Sequence, residues 1–207
     1  MRLLPPSLRW PVLLPTAVCL GALAACDAAT PEPPPVIADA PAFQLVDQRG
    51  EAFGDADLDG RVWVADFIFT RCQGFCPRLS SRMAEIQEEL RSQPAWQDLR
   101  LVSISVDPEH DRPSVLADYA QRYAADPEHW IFLTGEREQI WKLSREGFKL
   151  PVGENPGDVG EPLFHSGRFV LVDRKGRIRG YYEALEEDGR RALVDAVRAL
   201  AGAPVSS

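Results

Sequence analysis

With 207 residues, 45% of them hydrophobic and 26% charged, the chain is long enough for one domain with a substantial core. Its formal net charge of −8 argues against nucleic acid as a partner and against electrostatic adhesion to anionic lipid. Its four cysteines are few enough to be placed one by one.

Residues 1–25 stand apart. Arg2 and Arg9 precede a mostly apolar stretch, 11–23, that is interrupted by Pro11 and Pro15 and followed by Ala24-Ala25-Cys26. A positive flank, a short apolar run and small residues predict a secretory signal rather than a membrane-spanning helix. The ending resembles a bacterial lipobox, which implies cleavage before Cys26 and a lipid on its sulfur. Asp27 resembles a signal that retains lipoproteins at the inner membrane. Removing Arg2 and Arg9, the only charged residues before Cys26, takes the formal charge from −8 to −10. Residues 26–42 carry Pro31, Pro33, Pro34, Pro35 and Pro41 with few bulky apolar side chains, the composition of an extended tether. The domain proper is expected over 43–207.

Residues 43–46 and 51–53, joined through Asp47-Gln48-Arg49-Gly50, predict a short N-terminal hairpin. The stretch 61–70 is nearly continuous in Val, Trp, Phe and Ile, as in a strand covered on both faces. Pro77 suits a helix start, and Leu79, Met83, Ile86 and Leu90 follow at helical spacing. A strand at 101–106, a helix at 113–123, a strand at 130–133 and a helix at 136–146 continue the alternation. Residues 147–162, rich in glycine and proline, are expected to form a long loop. A hairpin of 169–172 and 178–182 precedes a final amphipathic helix over 190–200. This order describes an α/β thioredoxin-like sandwich with an N-terminal hairpin extension.

Cys19 falls in the signal and Cys26 would carry the lipid, which leaves Cys72 and Cys76. They lie four positions apart where the long apolar strand gives way to a helix, so both sulfurs can face one side. The unpaired N–H groups at a helix start favour thiolates, the form that attacks disulfides and the form that binds metal. A structural disulfide or two core cysteines is the plainer alternative. Thioredoxin-type exchangers place two residues between their cysteines, whereas this pair has three. The wider gap leaves room for a soft ion such as Cu(I) or zinc, while three ligands are too few for common iron–sulfur sites. His165, just before the 169–172 strand, is the candidate third ligand, because that strand passes beside the cysteine turn in such a sandwich. His110 and His129 are expected at the surface. Asp107 and Asp111 are expected either to cap the turn before the helix at Pro113 or to act behind the metal ligands. Asp66, set in an apolar strand, is expected to be buried and able to tune the thiols.

In order, Phe67-Ile68-Phe69-Thr70 leads to Cys72, Cys76 and Pro77; Ser105-Val106-Asp107-Pro108-Glu109 precedes Asp111; and His165-Ser166 precedes Leu171-Val172-Asp173 and Gly176. Together these resemble the Sco/SenC family of copper-binding proteins that assist assembly of cytochrome c oxidase. The resemblance implies that Cys72, Cys76 and His165 bind copper, as Cu(I) or Cu(II). It also implies delivery of copper to, or thiol reduction at, the dinuclear copper site of the oxidase's copper-bearing subunit. A thioredoxin-like reductant or a second copper chaperone would be a further partner, and the setting would be the periplasmic side of the inner membrane. The family usually has proline after the first cysteine, where this chain has Gln73, and Gly74 and Phe75 are also atypical. The rival readings are a thiol–disulfide oxidoreductase of the envelope, a peroxidase and a copper-responsive signalling partner. The peroxidase is disfavoured, because the threonine such enzymes place three residues before the reactive cysteine is Phe69 before Cys72 and Gln73 before Cys76.

Overall fold

The computed structural model describes residues 32–157, 162–183 and 185–202. Cys19, Cys26 and the signal segment lie outside the described residues. The long apolar run becomes β4 (Val62–Ile68), and every one of its residues is buried, as a strand with both faces covered requires. It pairs in parallel with β5 (Leu99–Ser105), which pairs in parallel with β6 (Trp130–Thr134). The N-terminal hairpin, β2 (Gln44–Asp47) and β3 (Ala52–Gly54), turns at Gly50 with φ 86° and extends the sheet beyond β6. On the other side stand β9 (Arg168–Val172) and β10 (Arg177–Glu183). With β1 (Ala38–Asp39) at the edge, the order is β1-β10-β9-β4-β5-β6-β2-β3.

Side chains alternate across β4, so Trp63, Ala65 and Phe67 share one face while Val64, Asp66 and Ile68 share the other. Phe148 meets both Trp63 and Phe67 edge-on, at 6.1 and 5.8 Å between ring centroids, and Phe43 meets Trp63 at 6.3 Å. The opposite face is covered by α1 (Phe75–Leu90) and α4 (Glu187–Gly202), which pack side by side. In α1 the spacing read from sequence is realised: Leu79, Met83, Ile86 and Leu90 are fully buried, each worth roughly 1.5–3 kcal/mol. The helix α2 (Pro113–Arg122) leans on α1 through a 2.8 Å hydrogen bond between the Ser80 and Tyr119 hydroxyls.

Several expectations change. The helix α1 begins at Phe75 rather than Pro77, which puts Cys76 inside its first turn. The helix expected at 136–146 is shorter: α3 (Arg137–Lys142) widens into a π-type turn, Leu143–Gly147. The long loop at 147–162 contains β7 (Val152–Glu154), which pairs antiparallel with β8 (Leu163–His165). The described part of the expected tether is strapped to the domain. Ile37 N–H donates to the Ile178 carbonyl (2.9 Å), Ala40 N–H donates to Gly176 (2.7 Å), and the Arg179 guanidinium holds the Pro34 carbonyl.

Candidate metal centre

Cys72 leaves the carboxyl end of β4, where open α/β sheets present their binding crevices. Because β9 runs antiparallel to β4, with Ala65 opposite Val170, the start of β9 lies beside that carboxyl end. His165 precedes β9 closely and so arrives at the cysteine turn. Its pairing with Val152 across the β7–β8 hairpin fixes the approach.

The geometry brings all three residues expected in the site together. Cys76 Sγ is 2.8 Å from His165 Nε2, and the Cys76 N–H donates to Cys72 Sγ at 3.3 Å. His165 Nδ1 lies 2.9 Å from the Ser166 carbonyl oxygen. A carbonyl only accepts, so Nδ1 carries the proton and Nε2 is left with a free lone pair aimed at Cys76. That lone pair takes the Cys76 S–H or, in its place, a metal ion.

The electrostatics divide the two sulfurs. A hydrogen bond from Cys76 and the backbone N–H groups of Cys76, Gly74 and Phe75 lower the Cys72 pKa to about 6, against the opposing effect of burial. Burial, reinforced by the neighbouring Cys72 sulfur, pushes the Cys76 thiol up. Burial also lowers the His165 pKa to about 4, so the ring is neutral at physiological pH and able to ligate. At neutral pH the centre is therefore one thiolate, one thiol and one bare imidazole nitrogen. The single Cys76 proton lies between two acceptors.

Two aromatic rings enclose the histidine. Phe69 and Phe75 meet it edge-on, at 5.7 and 5.6 Å. A Cβ added at Gly167 would stand 2.2 Å from Phe75 Cζ, so glycine there permits the ring's position. Sequence reasoning missed this enclosure; Phe75 registered only as a departure from the family pattern. Phe69, Cys72, Phe75, Asn155, Leu163, Phe164 and His165 line an open cavity of about 220 Å³, with Phe164 exposed at its rim.

Among the described residues, no three His, Cys, Asp or Glu side chains are already spread as metal ligands. The reason is visible at Cys76 and His165. Metal–sulfur and metal–imidazole bonds of about 2.3 and 2.0 Å hold their donor atoms well over 3 Å apart. The observed 2.8 Å is a hydrogen bond, which a metal must part as it displaces the proton. The donor set itself, two sulfurs and one imidazole, fits a soft ion.

The neighbouring acids have other tasks. Asp66 is fully buried and accepts the Ser103 hydroxyl at 2.6 Å, while its second oxygen has no partner among the described residues. Burial raises its pKa to about 7. Asp107 and Asp111 do not cap α2, whose start has no side-chain cap; they grip Arg71 and Thr70 instead. His110 is exposed, as expected. His129 is half-buried and stacked on Trp96 at 4.3 Å, so it is less exposed than expected, and it is remote from the site in the fold.

A profile of the SCO1/SenC family matches residues 33–202. The chain belongs to the SCO1/SenC family. Its structure is similar to that of an SCO1/SenC family lipoprotein from Bacillus anthracis, 33% identical with a TM-score of 0.73 over 79% of this chain and 95% of that one. BsSco, a Sco-family cytochrome c oxidase assembly protein in which a disulfide switch has been identified, is 29% identical (TM-score 0.68; 81% and 98% covered). ScoI of Bradyrhizobium japonicum, solved with copper bound, is 26% identical (TM-score 0.62; 75% and 98% covered). The thioredoxin-like sandwich expected from the sequence is the fold of this SCO1/SenC chain.

Proposed function

We propose that this SCO1/SenC protein binds copper through Cys72, Cys76 and His165 and serves the assembly of cytochrome c oxidase. It would hand copper to the oxidase's copper-bearing subunit or reduce the cysteines there. The observation that carries this reading is the approach of His165 Nε2 to Cys76 Sγ, 2.8 Å apart, in the tautomer that leaves the nitrogen free to ligate. Copper in the related ScoI and the role of BsSco in oxidase assembly support it. Here copper is cargo: the two sulfurs and the imidazole hold it, and a partner's donors replace them. Release is coupled to redox state, because a Cys72–Cys76 disulfide has no thiolate left to ligate.

The signal over 1–25, a lipid on Cys26 and a position on the periplasmic side of the inner membrane belong to the same proposal. The lipoprotein among the relatives supports the signal and the lipid. A thioredoxin-like reductant or a second copper chaperone would restore the reduced, loaded state.

The test is a Cu(I) titration of reduced protein spanning residues 27–207 against a competing chelator, beside His165→Ala. One ion bound per chain, at least tenfold more weakly without His165, is the expected result. Weak binding indifferent to His165 would leave the cysteines as an exchange pair. That second reading, an envelope thiol–disulfide oxidoreductase, is favoured by the lowered Cys72 pKa and by the disulfide switch in BsSco.

A further inference from the structure

Thr70 stands two residues before Cys72, where β4 has ended and the cysteine turn begins. Fully buried Asp111 reaches it from the loop after β5. One Asp111 carboxylate oxygen accepts the Thr70 N–H at 3.0 Å, and the other accepts the Thr70 hydroxyl at 2.5 Å. The first oxygen also accepts the Ser105 hydroxyl. Ser105 is committed to that bond, since its oxygen already accepts the Asp107 N–H at 3.1 Å. Asp111 thus accepts from three groups on its two oxygens. The Thr70 hydroxyl could turn to accept from an amide, so Asn could keep these bonds, whereas Ala removes every acceptor and leaves the Thr70 N–H without this partner. Arg71 is fastened to the same loop, its Nε donating to Asp107 at 2.5 Å.

We propose that Asp111 is a positioning residue for Cys72, holding the turn at Thr70 so that the Cys72 sulfur stays beside Cys76 and His165. The proposal rests on the reading of Cys72 and Cys76 as a working pair. Its consequence is proximity. Two sulfurs held together behave as if each were highly concentrated for the other, which favours a disulfide between them. Freeing the turn lowers that effective concentration.

The test uses the metal-free protein and glutathione. Cys72 and Cys76 give up two protons and two electrons, glutathione disulfide takes both and leaves as two glutathione thiols, and one protein disulfide forms. Relative to wild type, Asp111→Ala is expected to lower this equilibrium constant at least tenfold, about 30 mV in potential. Thr70→Val, which removes one donor, should lower it severalfold, and Thr70→Ser, which keeps the donor, should stay within about twofold. Circular dichroism and the thermal midpoint are followed in parallel, because loss of stability alone would not move the exchange equilibrium of the folded protein. A folded Asp111→Ala within twofold of wild type overturns the proposal. If that variant does not fold, an unchanged Thr70→Val does so. A wild-type pair that forms no disulfide at all, yet binds copper through His165, overturns the role of Asp111 while leaving the copper reading intact.

Discussion

Cys76 Sγ and His165 Nε2, 89 residues apart in sequence, meet at 2.8 Å across a single proton. That proton occupies the place a metal would take. Proton and ion therefore compete for the centre, and the competition has a sign.

Above about pH 6 Cys72 is a thiolate while Cys76 keeps its proton. Uptake of a soft ion by both sulfurs then releases about one proton, and affinity should rise about tenfold per pH unit. Below that pH, Cys72 is also protonated and the slope should steepen to about two protons. Chelator competition across roughly pH 5 to 8 measures it; an affinity flat with pH would show that Cys76 is not a ligand.

Gly167→Ala places a methyl 2.2 Å from Phe75 Cζ, so the ring must leave its position over the histidine. The expected cost is about 1–3 kcal/mol of stability. Water should then reach His165 and its pKa should climb from about 4 towards the ordinary histidine value of 6.5. Titration of the imidazole by NMR reads this directly. An unmoved pKa would mean that Phe75 is not what keeps the histidine dry.

Asp66 makes stability depend on pH in the direction opposite to most carboxylates. Its folded pKa is raised from 3.8 to about 7, so the folded state binds the extra proton. Its contribution is complete below the unfolded value and is lost as pH rises through the folded one, a change of a few kcal/mol in order of magnitude. Cys72 and His165, whose pKa values are lowered, act in the opposite direction over the same range, so urea unfolding is read as a difference. From about pH 5 to about pH 8, Asp66→Asn should gain stability relative to wild type. Equal slopes in the two proteins would exclude Asp66 as the cause.

The strap before residue 42 should matter to folding although its composition is that of a linker. Removing it deletes the bonds to Ile178 and Gly176 and leaves Arg179 without the Pro34 carbonyl. At about 0.5–1.5 kcal/mol for each of these three hydrogen bonds, a protein beginning at residue 42 should be roughly 1.5–4.5 kcal/mol less stable than one beginning at 32. Matching denaturation midpoints would show that the strap adds nothing.

What the sequence revealed and what it concealed divide along physical lines. The strand 62–68 and the stripe of α1 were legible because burial imposes a period on the apolar residues. The meeting of Cys72, Cys76 and His165 was legible because the fold forces the start of β9 against the end of β4. The β7–β8 hairpin was not, since Val152 and Leu163 are the only buried residues of its two strands and prolines and glycines surround them. The strap was hidden for a related reason: its bonds run through backbone groups, which every residue carries. Asp111 was noticed, but its partner Thr70 lies 41 positions away and no local pattern links the two.

Cys72 lines the open cavity, whereas Cys76 is sealed beneath it with no exposed surface. On the proposed function, traffic through the pair would have an order. An incoming sulfur, whether it carries copper or a disulfide, would meet Cys72 first, and Cys76 would act second and from the inside. The interior thiol would set how long a visitor stays: until it gives up its proton, the outer sulfur would hold the partner alone.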